Sequence, residues 1–157
     1  MTILQQLTDD HAFFKETFAA LDTLVTRPEE EESILRASTL VQTFRERHRV
    51  HLYRESSVLF PSLLGYLQMG LSPITRAAIY HHLQEEHMGV GRNVYLLEMD
   101  LVSRPLNAAW LKSYKVLSDT FIPHMANEEE TVFPEAARVM PPEQLETMAH
   151  SKFFPAF

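Results

Sequence analysis

The sequence of 157 residues contains no cysteine. Disulfides, thiolate metal sites, iron–sulfur clusters and cysteine nucleophiles are therefore excluded, and any bound metal must be held by nitrogen and oxygen atoms. Glycine is also scarce, with four residues in the chain, so turn signals are few and long helical segments lie between them. A chain of this length is expected to form a single domain, residues 1–157, with a sizeable buried core.

The chain has no excess of positive charge, since its formal net charge is −7. A surface that binds nucleic acid would show clustered Lys and Arg, so nucleic acid is not expected as a partner. The N-terminus lacks the basic and apolar regions of a signal peptide. The most apolar later stretch, residues 58–71, is interrupted by Pro61, Gly65 and Gly70, so no membrane partner is expected. The sequence thus predicts a cytoplasmic protein.

Four long segments carry apolar residues at helical spacing. In the first, Leu7, His11, Phe14, Phe18 and Leu21 recur by alternate threes and fours, which places them on one helix face. Short connections make long helices antiparallel neighbours. The sequence therefore predicts an all-α, up-down-up-down four-helix bundle over residues 2–140, followed by a short C-terminal helix and tail at 141–157.

One pattern of four residues occurs twice. The residues His51, Glu55, Phe60 and Pro61 return at the same spacing as His124, Glu128, Phe133 and Pro134. An earlier helix in each half carries one further histidine, His11 or His87. Each half is therefore predicted to be a helical hairpin, and the two hairpins are expected to be related by a pseudo-twofold axis.

Histidine and glutamate four residues apart share one face of a helix, so the repeat directs imidazoles and carboxylates to the bundle centre. The predicted metal ligands are His11, His51, Glu55, His87, His124 and Glu128. This set is too large for one tetrahedral zinc ion. It suits two ions, each bound by the two histidines of one hairpin, with both glutamates bridging. The softness of these ligands does not distinguish between iron, manganese and zinc. Each ion would keep coordination positions for an oxo or hydroxo bridge and an outside ligand.

Several residues near this pattern have alternative interpretations. His48 shares a face with His51, where it either hydrogen-bonds a ligand or packs near the bundle edge. His82, five residues before His87, would be an extra ligand only through a π-bulge, and otherwise lies at the surface or behind the ligands. Glu129 points about 100° around the helix from Glu128 and is expected outside the site. The two Phe-Pro pairs are expected to bend or end their helices.

Motifs on all four predicted helices resemble the hemerythrin-like HHE cation-binding domain over residues 1–140. They are Asp10-His11, His51-Leu-Tyr-Arg-Glu55, Glu86-His87 and His124-Met-Ala-Asn-Glu128. The resemblance implies a centre of two iron ions, with the four histidines as terminal ligands and Glu55 and Glu128 as bridges. It implies binding of dioxygen, nitric oxide or a related small ligand in storage, sensing or stress response.

The sequence departs from the family pattern at two points, and both bear on which of the family's functions it can have. Oxygen-carrying hemerythrins have a second histidine four residues before the one on the third helix, where this chain has Leu83. Family members that repair iron–sulfur clusters carry a cysteine-containing N-terminal segment, which this chain lacks. A di-iron oxidase, peroxidase or nitric-oxide-reducing enzyme is the alternative function, and a zinc-bearing structural bundle is a third. The oligomeric state, a homodimer included, stays open.

Overall fold

The computed structural model describes residues 1–67, 77 and 106–152. The regular elements of these residues are helices: α1 (Ile3–Leu24), α2 (Glu31–Tyr53), a π-helical turn (Arg54–Leu59), α3 (Phe60–Leu67), α4 (Ala108–Asn127), a second π-helical turn (Glu128–Val132), α5 (Phe133–Val139) and α6 (Pro142–Ala149). The predicted all-α fold class, a four-helix bundle, is confirmed. The predicted third helix, with His82 and His87, falls outside the described residues. Within the described ranges, no helix combines the length and apolarity needed to cross a membrane.

Local signals account for the starts of the long helices. The Thr2 hydroxyl accepts a hydrogen bond from the Gln5 amide at 3.3 Å, and the Gln5 side chain accepts one from the Thr2 amide at 2.8 Å. This reciprocal pair is the capping box that the sequence suggests. Helix α2 begins at Glu31, within the acidic run, where carboxylates complement the positive end of the helix dipole.

The fourth long segment forms helix α4, which begins at Ala108. Its cap is Asn107, whose side-chain oxygen accepts a hydrogen bond from the Trp110 amide at 2.8 Å. Leu106, immediately before the cap, is buried and has a φ of 63°. Such a left-handed conformation is strained for a residue other than glycine, and it turns the chain so that Leu106 joins the core.

Buried residues form two apolar clusters with a polar layer between them. One cluster contains Phe14, Phe18, Phe44 and Phe121, and the other contains Ile3, Leu7, Leu59, Leu63, Val132 and Phe133. The residues between them on α1, α2, α4 and the π-helical turns are polar: Asp10, His11, His48, His51, Glu55, His124 and Glu128. Burial of so many ionisable groups in one layer is expensive unless they are paired or bind metal.

The Phe-Pro pairs were expected to bend or end their helices, and the structure excludes an end at either pair. The chain stays helical through Pro61 and Pro134, and each proline follows a π-helical turn. Proline clashes with the carbonyl four residues back in an α-helix, and the wider π-helical turn accommodates that residue without breaking the helix. Helix α4 likewise continues through Pro123 to Asn127.

The predicted C-terminal helix is part of the core. Leu145 and Met148 on α6 are buried with Ile3 and Leu7 near the start of α1. The Gln6 amide nitrogen donates to the carbonyl oxygen of Ala149 at 3.1 Å, which ties the two helices together. This helix therefore covers the end of the bundle at which α1 begins.

Candidate metal centre

His11 on α1 and His51 on α2 meet in the polar layer. Their ring centroids are 4.9 Å apart, and both rings are buried. Helix α1 presents His11 between Leu7 and Phe14, one turn away on either side, because all three lie on its buried stripe. The two histidines are 40 positions apart in the chain, and the packing of α1 on α2 brings them together.

The two glutamates of the repeat lie beside these histidines. Glu55 Oε1 is 3.0 Å from His51 Nε2. Glu128 is approached on both of its oxygens, since Oε2 is 3.3 Å from His11 Nε2 and Oε1 is 3.3 Å from His124 Nε2. The carboxylate of Glu128 therefore lies between histidines of two different helices.

Four side chains form a compact group of possible metal ligands. One nitrogen or oxygen atom from each of His11, His51, Glu55 and Glu128 lies within 4.8 Å of the other three. All four residues are buried. Of the other predicted ligands, His124 contacts this group through Glu128, and His87 lies outside the described residues.

The positions of the His11 and Glu128 side chains suit a cation bound between them. His11 Nδ1 is 2.9 Å from the carboxylate of Glu129, so Nδ1 carries the proton in the neutral ring and Nε2 carries a lone pair. That lone pair faces a Glu128 oxygen at 3.3 Å, and among the described residues His11 Nε2 has no hydrogen-bond partner. Two electron-rich atoms repel unless a proton or a metal ion lies between them. The donor set of imidazole and carboxylate suits iron, manganese or zinc.

Asp10 is a buried residue of the site whose role sequence reasoning missed. Its Oδ1 accepts a hydrogen bond from Arg47 Nε at 2.6 Å, and its Oδ2 accepts one from Arg54 at 2.8 Å. The same Oδ2 is 3.5 Å from His51 Nδ1. The two guanidinium groups hold this carboxylate behind the histidine ring. The Asp10-His11 motif was visible in the sequence, but nothing in it indicated that Asp10 faces the neighbouring helix.

Glu129 contacts a predicted ligand, His11, although it is not a member of the compact group of possible ligands. Its Oε1 is 2.9 Å from His11 Nδ1, and the Lys15 ammonium lies 2.9 and 2.8 Å from its two oxygens. Consecutive residues of a helix point about 100° apart, so the spacing within one helix does not indicate this contact. The packing of α1 beside the π-helical turn brings His11 to Glu129.

The charges around His51 favour its protonated form in the metal-free protein. Burial by itself lowers the pKa of the imidazole, but the nearby charge of Glu55 and the contacts with Asp10 and Glu55 outweigh burial and raise this pKa to about 10. Burial and neighbouring charges also have opposite effects on the pKa of Asp10. Burial raises the pKa of its carboxyl, and His51, Arg47 and Arg54 together hold the pKa below its usual range.

Aromatic rings enclose the histidines. Phe133 stacks on His11 at 5.4 Å between centroids, and Phe14 meets His51 edge-on at 5.2 Å. His48 is buried against Phe44, with centroids 5.6 Å apart and nearly parallel rings. It lies outside the group of possible ligands, on the side of the aromatic cluster. Aromatic rings therefore form part of the described surroundings of the site, beside the carboxylates of Asp10 and Glu129.

A buried histidine and carboxylate layer within a helical bundle defines a class of metal-binding protein. The family model of the hemerythrin HHE cation binding domain matches residues 2–136, which is most of the chain. The protein belongs to this hemerythrin family, as the motifs of the sequence indicated. The search of curated proteins found no match, and the search of solved structures found none.

Proposed function

We propose that this protein holds two iron ions in the polar layer and binds a small diatomic ligand, dioxygen or nitric oxide, there. One ion is bound by His11 and His51 of the first hairpin, and the other by His124 together with His87 of the second. Glu55 and Glu128 bridge the pair. Storage, sensing or a stress response are the roles that such reversible binding serves.

The observation that carries this proposal is the position of the Glu128 carboxylate. It presents one oxygen to His11 and the other to His124, each at 3.3 Å. A carboxylate that serves a single ion needs a histidine near one oxygen. A histidine near each oxygen is the arrangement that a bridging carboxylate requires. The compact group around His11, His51 and Glu55 supplies the remaining described ligands of the first ion.

The surroundings of the site favour a small uncharged ligand. Phe14 and Phe133 cover the two histidines, and the apolar clusters lie on both sides of the layer. A charged or bulky substrate would lose its hydration against these aromatic faces without gaining polar partners from them. Diatomic gases need neither polar partners nor a wide opening, so this environment suits them.

When bound, an iron pair supplies open coordination positions and two exchangeable electrons. The protein residues supply the rest. His11 and His51 present Nε2 to the bridging carboxylates, Glu129 and Asp10 face the opposite nitrogens, and the phenylalanine rings limit access of water. Exclusion of water would favour reversible binding, because protons from water promote irreversible oxidation of a reduced iron pair by dioxygen.

The proposal is tested by anaerobic reconstitution followed by metal analysis. The expected content is two iron ions per chain. Addition of dioxygen or nitric oxide to the reduced protein should then give an optical change that reverses when the gas is removed. Rapid and irreversible oxidation would indicate the alternative, a redox enzyme. A single tightly held ion with no capacity for a second would exclude the two-ion centre.

A further inference from the structure

Two consecutive glutamates contact the two nitrogens of one histidine. The π-helical turn Glu128–Val132 places Glu128 Oε2 at 3.3 Å from His11 Nε2 and Glu129 Oε1 at 2.9 Å from His11 Nδ1. The ring is thereby held between them. Because Glu129 bonds the nitrogen that faces away from the other possible ligands, it determines which nitrogen is available for a metal ion.

The ionised state of Glu129 is maintained by a lysine on α1. Lys15 Nζ lies within 2.9 Å of both carboxylate oxygens, and Lys15 follows His11 by one helical turn. A carboxylate that already accepts from an ammonium group can only accept from His11 Nδ1, so that nitrogen must donate its proton. Lys15 is 45% exposed and Glu129 28% exposed, whereas His11 is fully buried. The three residues therefore join the buried centre to the protein surface.

His51, the other histidine of the first hairpin, has different charged neighbours behind its ring. Asp10 faces His51 Nδ1 at 3.5 Å and is bonded by both Arg47 and Arg54. Its single negative charge is matched by two positive ones, whereas Glu129 is matched by one. Glu129 therefore retains more of its negative charge toward its histidine, and it can transmit that charge to a metal ion through the ring.

We propose that Glu129 is a positioning residue for His11, that it directs Nε2 to the metal, and that Lys15 regulates how much negative charge Glu129 places on the ligand. The inference rests on the proposed function, since it concerns the ion bound by His11. Negative charge behind a histidine ligand stabilises the higher oxidation state of iron. Loss of charge at Glu129 should therefore raise the reduction potential of the centre, and loss of the compensating charge at Lys15 should lower it.

The test uses the full-length protein with Glu129→Gln, Lys15→Met and the matched control Glu130→Gln. Glu130 is the next residue in the same π-helical turn and is exposed, so its variant makes the same change of charge without a contact to His11. Iron affinity, the midpoint potential of the iron-loaded protein and the melting temperature of the metal-free protein are measured for each variant.

We expect Glu129→Gln, which removes the negative charge behind His11, to weaken iron binding by about 10- to 100-fold, the usual effect of mutating the partner behind a histidine ligand. Its midpoint potential should rise, that of Lys15→Met should fall, and that of Glu130→Gln should stay within error of the unmodified protein. Because Lys15 and Glu129 form a partly exposed pair, the metal-free melting temperatures should change little.

Opposite shifts in the midpoint potentials of Glu129→Gln and Lys15→Met distinguish an effect of charge on His11 from a loss of packing. A loss of packing would shift both potentials in the same direction. The inference is overturned if the potential and affinity of Glu129→Gln match those of Glu130→Gln, or if Glu129→Gln and Lys15→Met shift the potential in the same direction. Failure of the unmodified protein to bind iron is a separate result, and it would contradict the proposed function itself.

Discussion

The carbonyl oxygen of Glu128 accepts a hydrogen bond from the backbone amide of Phe133, five residues further along the chain. Glu55 and Phe60 are joined by the same bond in the first half of the repeat. Each π-helical turn thus begins within one residue of a glutamate of the site and ends immediately before the phenylalanine of a Phe-Pro pair. π-Helical turns are rare in proteins, and those that occur often lie at functional sites. The Phe-Pro pairs act on the site through the backbone that presents the glutamates.

Replacement of a bridging glutamate should remove one ion. Glu128→Gln keeps the volume of the side chain but loses the negative charge that two cations share, so the iron content should fall from two ions per chain to one. Glu130→Gln serves as the control, because Glu130 is exposed and nearby in sequence. Metal analysis after reconstitution measures both. Two ions in Glu128→Gln would show that this carboxylate does not bridge.

Two neighbouring histidines on α2 should respond differently to truncation. His51 faces Glu55 at 3.0 Å, whereas His48 stacks on Phe44. His51→Ala should therefore abolish the stabilisation that iron provides, because it removes a ligand. His48→Ala should lower the melting temperature with and without iron, because it removes buried contacts, and it should retain the metal content. Loss of iron from His48→Ala would instead assign His48 to the ligand set.

The stability of the metal-free protein should fall as the pH rises, and the stabilisation that metal provides should grow. The pKa of His51 is about 10 in the metal-free protein, above its ordinary value of 6.5, so the folded state binds a proton that the unfolded state releases. The contribution of this proton to stability is complete below about pH 6.5 and is lost as the pH rises toward 10. Metal must displace that proton, so iron affinity should increase over the same range.

Thermal melts between pH 6 and pH 9, with and without bound iron, measure this dependence. The difference in melting temperature between the loaded and metal-free forms should widen as the pH rises. His51→Ala is the control for the metal-free melts, since it removes the group that titrates and should remove this part of their pH dependence. A difference that stays constant across the range would show that metal binding does not displace a proton from His51.

A hydroxyl remote from the site should affect stability alone. The Tyr114 hydroxyl lies 2.7 Å from Asp22 Oδ1 and 3.0 Å from the carbonyl oxygen of Phe18, and it links α4 to α1. Tyr114→Phe should reduce the free energy of unfolding by about 1 kcal/mol, the usual contribution of such a hydrogen bond. The melting temperature should fall by about 2–4 °C. Metal content should be unchanged, and a loss of iron would contradict the separation of these two regions.

Much of the fold follows from periodicity along single helices. The apolar stripe of α1 and the spacing of His51 and Glu55 each depend on residues within one or two turns of each other, so helical geometry predicts their common face. The capping box of Thr2 and Gln5 is local in the same sense. The start of α4 was less predictable, because Leu106 adopts a left-handed conformation that its sequence does not indicate.

The sequence by itself determined that the chain is helical and that histidines and glutamates share the inner faces of its helices. Only the tertiary structure decided which of them meet, because the spacing within one helix contains no information about the rotation of its neighbours. Asp10 faces α2, and Glu129 faces α1, although each is adjacent to a residue that points to the centre. The packing of the helices placed these two carboxylates behind His51 and His11.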